Sequence, residues 1–305
     1  AGENFLWLNQ SGGRFVDGGL LSGAALNVYG IAEASMGVAV ADYDQDGDPD
    51  IFLTHDVKES NTLYVNDACG WFDDQSGISG LATTSIPFTG FGNGWIDMDG
   101  DGDLDLFSAN GAVTIIESQR REGFEPPLRQ RNQFWRNDGR GVFHEVISES
   151  AFSPLDVSRG AAFGDLDNDG DTDIVVTNNN GPAKLYRNDA PSSNWLGIEL
   201  VDGLSRRHAI GAAVRQEPNM DEVRYVATDG GYASSHDPRL TYSSLDNPAP
   251  EFIRVRWADG ATERFGPLAP NQYHLLASST SRDQESGSSP TTRVGCDRSA
   301  SVTGE

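Results

Sequence analysis

Three stretches of this chain repeat one nine-residue pattern, with an Asp at every odd position and a Gly at the sixth. They are Asp42-Tyr43-Asp44-Gln45-Asp46-Gly47-Asp48-Pro49-Asp50, Asp97-Met98-Asp99-Gly100-Asp101-Gly102-Asp103-Leu104-Asp105 and Asp165-Leu166-Asp167-Asn168-Asp169-Gly170-Asp171-Thr172-Asp173. Five carboxylates packed this closely repel one another, and a fold tolerates them when a cation sits among them. No Cys or His lies inside any loop, so the donors are all oxygen and zinc-type sites are excluded. A hard ion taking roughly six to eight oxygens at about 2.3–2.6 Å, Ca²⁺, matches this donor set. The expectation is about three Ca²⁺ ions, one per loop.

The positions divide the work. Asp42, Asp44 and Asp46, Asp97, Asp99 and Asp101, and Asp165, Asp167 and Asp169 supply side-chain oxygens from positions 1, 3 and 5. Gly47, Gly102 and Gly170 stand where the chain must turn sharply, with positive φ expected. Position 7 offers its backbone carbonyl, which leaves Asp48, Asp103 and Asp171 as outer charges. Asp50, Asp105 and Asp173 close the loops at position 9. An EF-hand would carry Glu at position 12, where this chain has Leu53, Ser108 and Val176. The flanks are strand-like, with Gly37–Ala41 before the first loop, Ile51–Thr54 after it and Ile174–Thr177 after the third. Each ion is therefore expected in a tight inter-strand loop, caged by oxygens in a structural rather than catalytic role.

Composition narrows the setting. The chain has 305 residues and a net charge of −24, which argues against nucleic acid or an anionic membrane surface as partner. No apolar run approaches the roughly 20 residues of a membrane span. Calcium loops of ordinary affinity fill where calcium is abundant, so an extracellular, secreted or periplasmic location is expected. Ala1-Gly2-Glu3-Asn4 opens directly into a strand pattern, as a mature or truncated chain would. The two cysteines, Cys69 and Cys296, lie in polar surroundings and leave a disulfide open.

A second phrase recurs between the loops: Leu6-Trp7-Leu8-Asn9, Leu63-Tyr64-Val65-Asn66, Phe134-Trp135-Arg136-Asn137 and Leu185-Tyr186-Arg187-Asn188. The first three run on through a Gly-containing turn to Phe15, Phe72 and Phe143, a β-hairpin signature. The unit reads hairpin, polar loop, small-residue strand, calcium loop, apolar strand. Repeated four-strand units of this size predict an all-β chain of β-propeller-type blades. Three units make a partial or incomplete ring, with open edges for a further copy or another chain to cover. Trp7, Tyr64, Trp95, Trp135 and Tyr186 are expected in the core between blades. Glu117 to Arg131 is a charged, Pro-containing excursion in which Arg120, Arg121, Arg129 and Arg131 are expected to pair with Glu117, Glu122 and Glu125.

From Trp195 the acidic loops stop, and strands are expected at 195–200, 212–216, 222–227, 252–257 and 273–276, a small β-sandwich. The division is residues 1–192 for the repeats, 193–278 for the sandwich and 279–305 for a Ser/Thr/Gly-rich tail. The five histidines, His55, His144, His208, His236 and His274, show no metal-ligand spacing. Ser234-Ser235-His236-Asp237 lacks a nucleophile elbow and reads as a polar turn. Asn9-Gln10-Ser11 fits the N-glycosylation acceptor pattern.

The loops, with Ser35-Met36-Gly37-Val38-Ala39 and Arg159-Gly160-Ala161-Ala162-Phe163-Gly164 before two of them, resemble the FG-GAP/VCBS repeats of integrin-α-like propellers. Asn194-Trp195-Leu196, Ile210-Gly211-Ala212, Gly231-Tyr232-Ala233-Ser234-Ser235-His236-Asp237-Pro238-Arg239-Leu240 and Val255-Arg256-Trp257-Ala258-Asp259-Gly260 resemble the ASPIC/UnbV family, cartilage-acidic-protein-like. Tyr242-Ser243-Ser244-Leu245 stands where that family usually has Phe-Gly-Leu-Gly. The resemblance implies a secreted, Ca²⁺-loaded propeller followed by an ASPIC/UnbV β-domain, with a protein or glycan ligand and a binding, adhesion or assembly role. Two other functions stay open. One is a calcium-dependent enzyme, a hydrolase or natural-product cyclase, working in a propeller pocket. The other is a subunit of a filament or multi-chain propeller.

Overall fold

The computed structural model describes residues 1–10, 12–147, 151–190, 194–218, 220–243 and 251–279. Helix is confined there to α1 (Gly19–Ser22), α2 (Leu81–Ser85) and α3 (Glu117–Arg121). The rest of the regular structure is strand, in a propeller-type arrangement. The hairpin β1 (Trp7–Gln10) and β2 (Arg14–Asp17) stands as its own sheet. Three antiparallel meanders follow. The first is β3 (Val38–Ala41), β4 (Asp50–Leu53), β5 (Thr62–Asn66) and β6 (Phe72–Asp74). The second is β7 (Gly90–Ile96), β8 (Asp105–Asn110), β9 (Gln133–Asn137) and β10 (Phe143–Glu145). The third is β11 (Ser158–Gly164), β12 (Asp173–Asn178) and β13 (Lys184–Tyr186). In every blade the acidic loop joins the first strand to the second.

Apolar residues on alternate strand positions hold neighbouring blades face to face. Phe52 and Leu63 of the first blade pack with Leu106, Trp135 and Phe143 of the second. Phe107 and Phe134 of the second pack with Phe163, Ile174 and Val176 of the third. Small residues are needed where β3, β7 and β11 approach one another. A Cβ on Gly37 would lie 2.0 Å from Phe91 O, and one on Gly92 would lie 2.3 Å from Ala161 N. That close approach explains the small-residue strand of the sequence repeat.

The chain ends in two sheets around one core. β14 (Trp195–Val201) sits between β17 (Leu240–Ser243) and β20 (Tyr273–Ala277), in parallel with β20. β15 (Ala213–Glu217) and β18 (Phe252–Arg256) form the middle of the other sheet, flanked by β16 (Arg224–Tyr225) and β19 (Thr262–Phe265). Leu196, Ile198, Val214, Tyr242, Ile253 and Val255 share the buried interior, so the sandwich expectation holds.

Several details differ from the sequence reading. The sheets begin with the small-residue strand, so the recurring hairpin is the outer half of each sheet rather than its opening. The Leu6–Phe15 hairpin consequently stands alone, and Trp7 is 60% exposed, not core. Tyr64 and Trp135 are fully buried as expected, while Trp95 and Tyr186 are partly covered. β17 and β19 had no clear signal, because Leu-Thr-Tyr-Ser and Thr-Glu-Arg-Phe are short and half polar. In the excursion, Arg120 pairs with Glu117 at 2.6 Å, but Arg131 turns to Glu145 at 2.7 Å. Ser11, Cys296 and the tail from residue 280 lie outside the described residues.

The stretch read as a polar turn does more. From Asp229 to Arg239 the chain crosses the inner strands of all three blades. Gly231 exchanges backbone hydrogen bonds with Val38 on β3. The Tyr232 ring meets Phe91 on β7 at 4.9 Å. On β11, the Phe163 N–H donates to His236 Nδ1 at 3.3 Å and the Asp237 N–H to Phe163 O at 2.9 Å. Nδ1 accepts the Phe163 bond, and burial lowers the His236 pKa, which favours the neutral ring.

Candidate metal centre

Each acidic loop is built from its own backbone. Gly47, Gly102 and Gly170 have φ of 97°, 94° and 97°, the left-handed turn expected at position 6. Their N–H groups donate back to the leading carboxylates, Asp42 Oδ2 at 3.1 Å, Asp97 Oδ2 at 3.2 Å and Asp165 Oδ2 at 3.0 Å. Position 5 accepts from position 7, as when the Asp48 N–H donates to Asp46 Oδ1 and the Asp103 N–H to Asp101 Oδ1, both at 3.0 Å.

Position 9 ties the loop to the blade. Asp50, Asp105 and Asp173 are buried, and each accepts two backbone N–H groups. Asp105 takes Asn137 N–H at 2.8 Å and Met98 N–H at 3.1 Å. Asp173 takes Asn188 N–H and Leu166 N–H, both at 2.9 Å. Asp50 takes Asn66 N–H at 2.9 Å and Tyr43 N–H at 3.3 Å. The recurring Asn now has a purpose: Asn66 and Asn137 also donate their side-chain N–H to Pro49 O and Leu104 O, the eighth residues of their loops.

The structure brings Asp42, Asp44 and Asp50 together, likewise Asp97, Asp99 and Asp101, and Asp165, Asp167 and Asp173. One oxygen from each lies within 4.8 Å of the others in its group. Asp46, Asp48, Asp103, Asp105, Asp169 and Asp171 of the expected set fall outside these tightest groups. Asp42 Oδ1 and Asp99 Oδ1 are buried with no hydrogen-bond partner, as are both oxygens of Asp171. Position 7 of the third loop is thus buried, where an outer charge was expected. Orphaned carboxylate oxygens in an all-oxygen cluster are the donor chemistry of a hard divalent cation, and the residues fit one. Burial pushes Asp50 and Asp105 up to about 8 and Asp42 up to about 6.

The loops are not equivalent. Arg136 Nη1 lies 3.3 Å from Asp99 Oδ2, and Arg187 Nη1 lies 3.5 Å from Asp167 Oδ2. The first loop has Val65 at the matching hairpin position, and its guanidinium neighbour is Arg215, which reaches Gly47 O at 3.3 Å. A cavity of about 230 Å³ lies where the loops meet the C-terminal sheets, lined among others by Asp42, Asp97, Asp165, Trp95, Arg224 and Tyr273.

Residues 42–108 and 97–176 match the FG-GAP-like repeat, and residues 203–283 match the ASPIC and UnbV family. The chain joins FG-GAP-like repeats to an ASPIC/UnbV domain. Cartilage acidic protein 1 of Mus musculus is 25% identical over 271 residues, covering 85% of this chain and 38% of that protein. Cartilage acidic protein 1 of Homo sapiens is 23% identical over 280 residues, again 85% of this chain and 38% of its own length. The chain thus spans about 38% of the length of the curated relatives it matches.

The ASPIC/UnbV domain supplies site residues that the sequence reading missed. Val223, Ser243 and Tyr273 contact the leading aspartates, and Arg239 contacts Asn168 Oδ1 at 2.6 Å. No spacing rule announces a contact made across 70 or more residues. The Tyr242-Ser243 departure from the family phrase was the nearest signal.

Proposed function

We propose that this chain is an extracellular binding module whose three acidic loops hold Ca²⁺ as a structural ion. The observation that carries the reading is the set of buried, unpartnered carboxylate oxygens at Asp42, Asp99 and Asp171, each inside an inter-strand loop. Asp42, Asp44 and Asp50, Asp97, Asp99 and Asp101, and Asp165, Asp167 and Asp173 with the buried Asp171 beside them would hold the ions. Bound Ca²⁺ supplies charge neutralisation and cross-links strand ends that otherwise repel. Calcium supply places such a module outside the cytosol or in a periplasm. The net charge of −24 agrees with the acidic character in the relatives' name. Trp7 and Phe15, apolar and exposed on the β1–β2 hairpin, are side chains that a protein partner, a further copy or another chain would cover. Among the described residues no helix is long and apolar enough to cross a membrane.

Two measurements test this. The melting temperature in excess EGTA should fall by 10 °C or more, on the order of what losing several kcal/mol of bound-ion stabilisation produces, and calcium should restore it. An unchanged melting temperature after full metal removal would contradict the structural-ion reading. Arrays of extracellular proteins and glycans, probed in CaCl₂ and in EGTA, should show calcium-dependent capture. Capture that ignores calcium would contradict the coupling of binding to the loops.

A further inference from the structure

The leading carboxylate of every loop is held by a donor from the ASPIC/UnbV domain. The Val223 N–H donates to Asp42 Oδ2, the Ser243 hydroxyl to Asp97 Oδ2 and the Tyr273 hydroxyl to Asp165 Oδ2, each at 2.7 Å. The donors sit just before β16, at the end of β17 and at the start of β20. One is a backbone amide, one a serine and one a tyrosine, so no repeated phrase produces them. What repeats is the acceptor: in all three loops the same oxygen also takes the N–H of the sixth residue. Other contacts reinforce the seat. Arg215 Nη2 donates to Gly47 O at 3.3 Å, Arg239 donates to Asp165 O, and the Trp195 ring lies over Gly170, where a Cβ would come within 2.2 Å of it.

We propose that Ser243, Tyr273 and the Val223 amide are positioning groups for the metal loops, so that calcium loading and seating of the ASPIC/UnbV domain are one coupled equilibrium. This rests on the calcium reading above. A carboxylate with one oxygen fixed by two donors presents its other oxygen in a set direction: Asp42 Oδ1 is left unpartnered, while Asp97 Oδ1 and Asp165 Oδ1 each also accept a backbone N–H of their own loop. The seated domain therefore orders three ligands before any ion arrives, which lowers the ordering left for binding to accomplish. In the opposite direction, repulsion among unneutralised carboxylates drives the leading Asp away from its neighbours, and each such movement breaks a bond to the domain. Coupling is reciprocal. Whatever factor seating adds to calcium affinity, calcium adds to seating.

Two of the three donors can be removed without touching a carboxylate. Tyr273→Phe keeps the ring that meets Trp195 at 5.3 Å and lies under the Arg239 guanidinium at 4.3 Å. Ser243→Ala removes the second hydroxyl, and Ser243→Thr restores it. The experiment titrates the full chain with CaCl₂ by calorimetry and follows amide exchange in CaCl₂ and in EGTA. Tyr273→Phe and Ser243→Ala should each weaken one calcium site by about tenfold and leave the other two, while Ser243→Thr stays within about twofold of the parent. Exchange from Thr228 to Arg239 and through β14–β20 should rise about tenfold or more when calcium is withdrawn. Three parental affinities in both deletion variants, or equal protection of these amides in the two buffers, would overturn the coupling while leaving the calcium reading intact. A parent chain that takes up no calcium would overturn both.

Discussion

The Asn137 N–H donates to Asp105 Oδ1 at 2.8 Å, joining the last residue of one acidic loop to the outer hairpin of the same blade. The Met98 N–H holds the other oxygen at 3.1 Å. Asp105 is therefore a brace first, with or without an ion. Asp105→Ala strands the buried Asn137 N–H and the half-buried Met98 N–H and should cost about 2–5 kcal/mol even in EGTA, read from denaturant unfolding. Asp101→Asn, at an exposed position that keeps an acceptor, should stay within about 0.5 kcal/mol in EGTA and lose stability only against the calcium-loaded parent. Equal losses in EGTA would contradict this division of labour.

Arg136 sits on Asp99 at 3.3 Å, with its side chain mostly exposed. Its charge competes with a cation for the same carboxylate. Arg136→Ala should raise the calcium affinity of the second loop by about two- to fivefold at low salt, with the gain shrinking as salt is added. Calorimetric titration at two ionic strengths checks it, and a weaker site in the variant would mean that Arg136 chiefly orients Asp99.

Acidity should act oppositely on the two forms of the protein. Asp42, at about 6, and Asp50 and Asp105, at about 8, lie above the unfolded value of about 3.9. In metal-free protein these groups favour the fold while protonated. That contribution is complete below about pH 4 and is lost as the pH rises through about 8. Calcium needs Asp42 and Asp50 ionised, so loading the first loop releases protons and strengthens over the same window. Protein stripped of metal beforehand and kept in calcium-free buffer should therefore melt at a higher temperature at pH 5 than at pH 8, and the gap between calcium-loaded and calcium-free curves should widen from pH 5 to pH 8. A gap independent of pH would show that Asp42 and Asp50 do not meet the ion.

Gly92 is required by the closeness of β7 to β11. Gly92→Ala should destabilise by about 3 kcal/mol, since its Cβ would lie 2.3 Å from backbone at Ala161. Gly77→Ala meets nothing within 4 Å and should be near neutral, within about 0.5 kcal/mol. Denaturant midpoints of the two variants decide it.

Much of the local architecture was legible because it is local. An Asp at every second residue with Gly47, Gly102 and Gly170 at position 6 dictates a turn, and the structure has that turn. Short apolar runs after the first and third loops made β4 and β12 readable. The recurring Asn was visible, but its bonds to the end of the loop depend on a partner 15 or more residues away. The bracing of the blade by Asp50, Asp105 and Asp173 was hidden for the same reason. Trp7 misled because its phrase matches Tyr64 and Trp135 while the rest of its sheet does not follow. The seating of Ser243, Tyr273 and His236 on the blades depends on how the ASPIC/UnbV domain packs back over about 100 residues of chain, which composition and periodicity do not encode.

The most direct test of the account is equilibrium dialysis of the intact chain against radioactive Ca²⁺, counting ions per molecule. The account predicts a plateau of three ions per chain, falling to two when Asp99 and Asp101 are both changed to Asn. A plateau of zero in the folded parent, or one that ignores the double substitution, would contradict it.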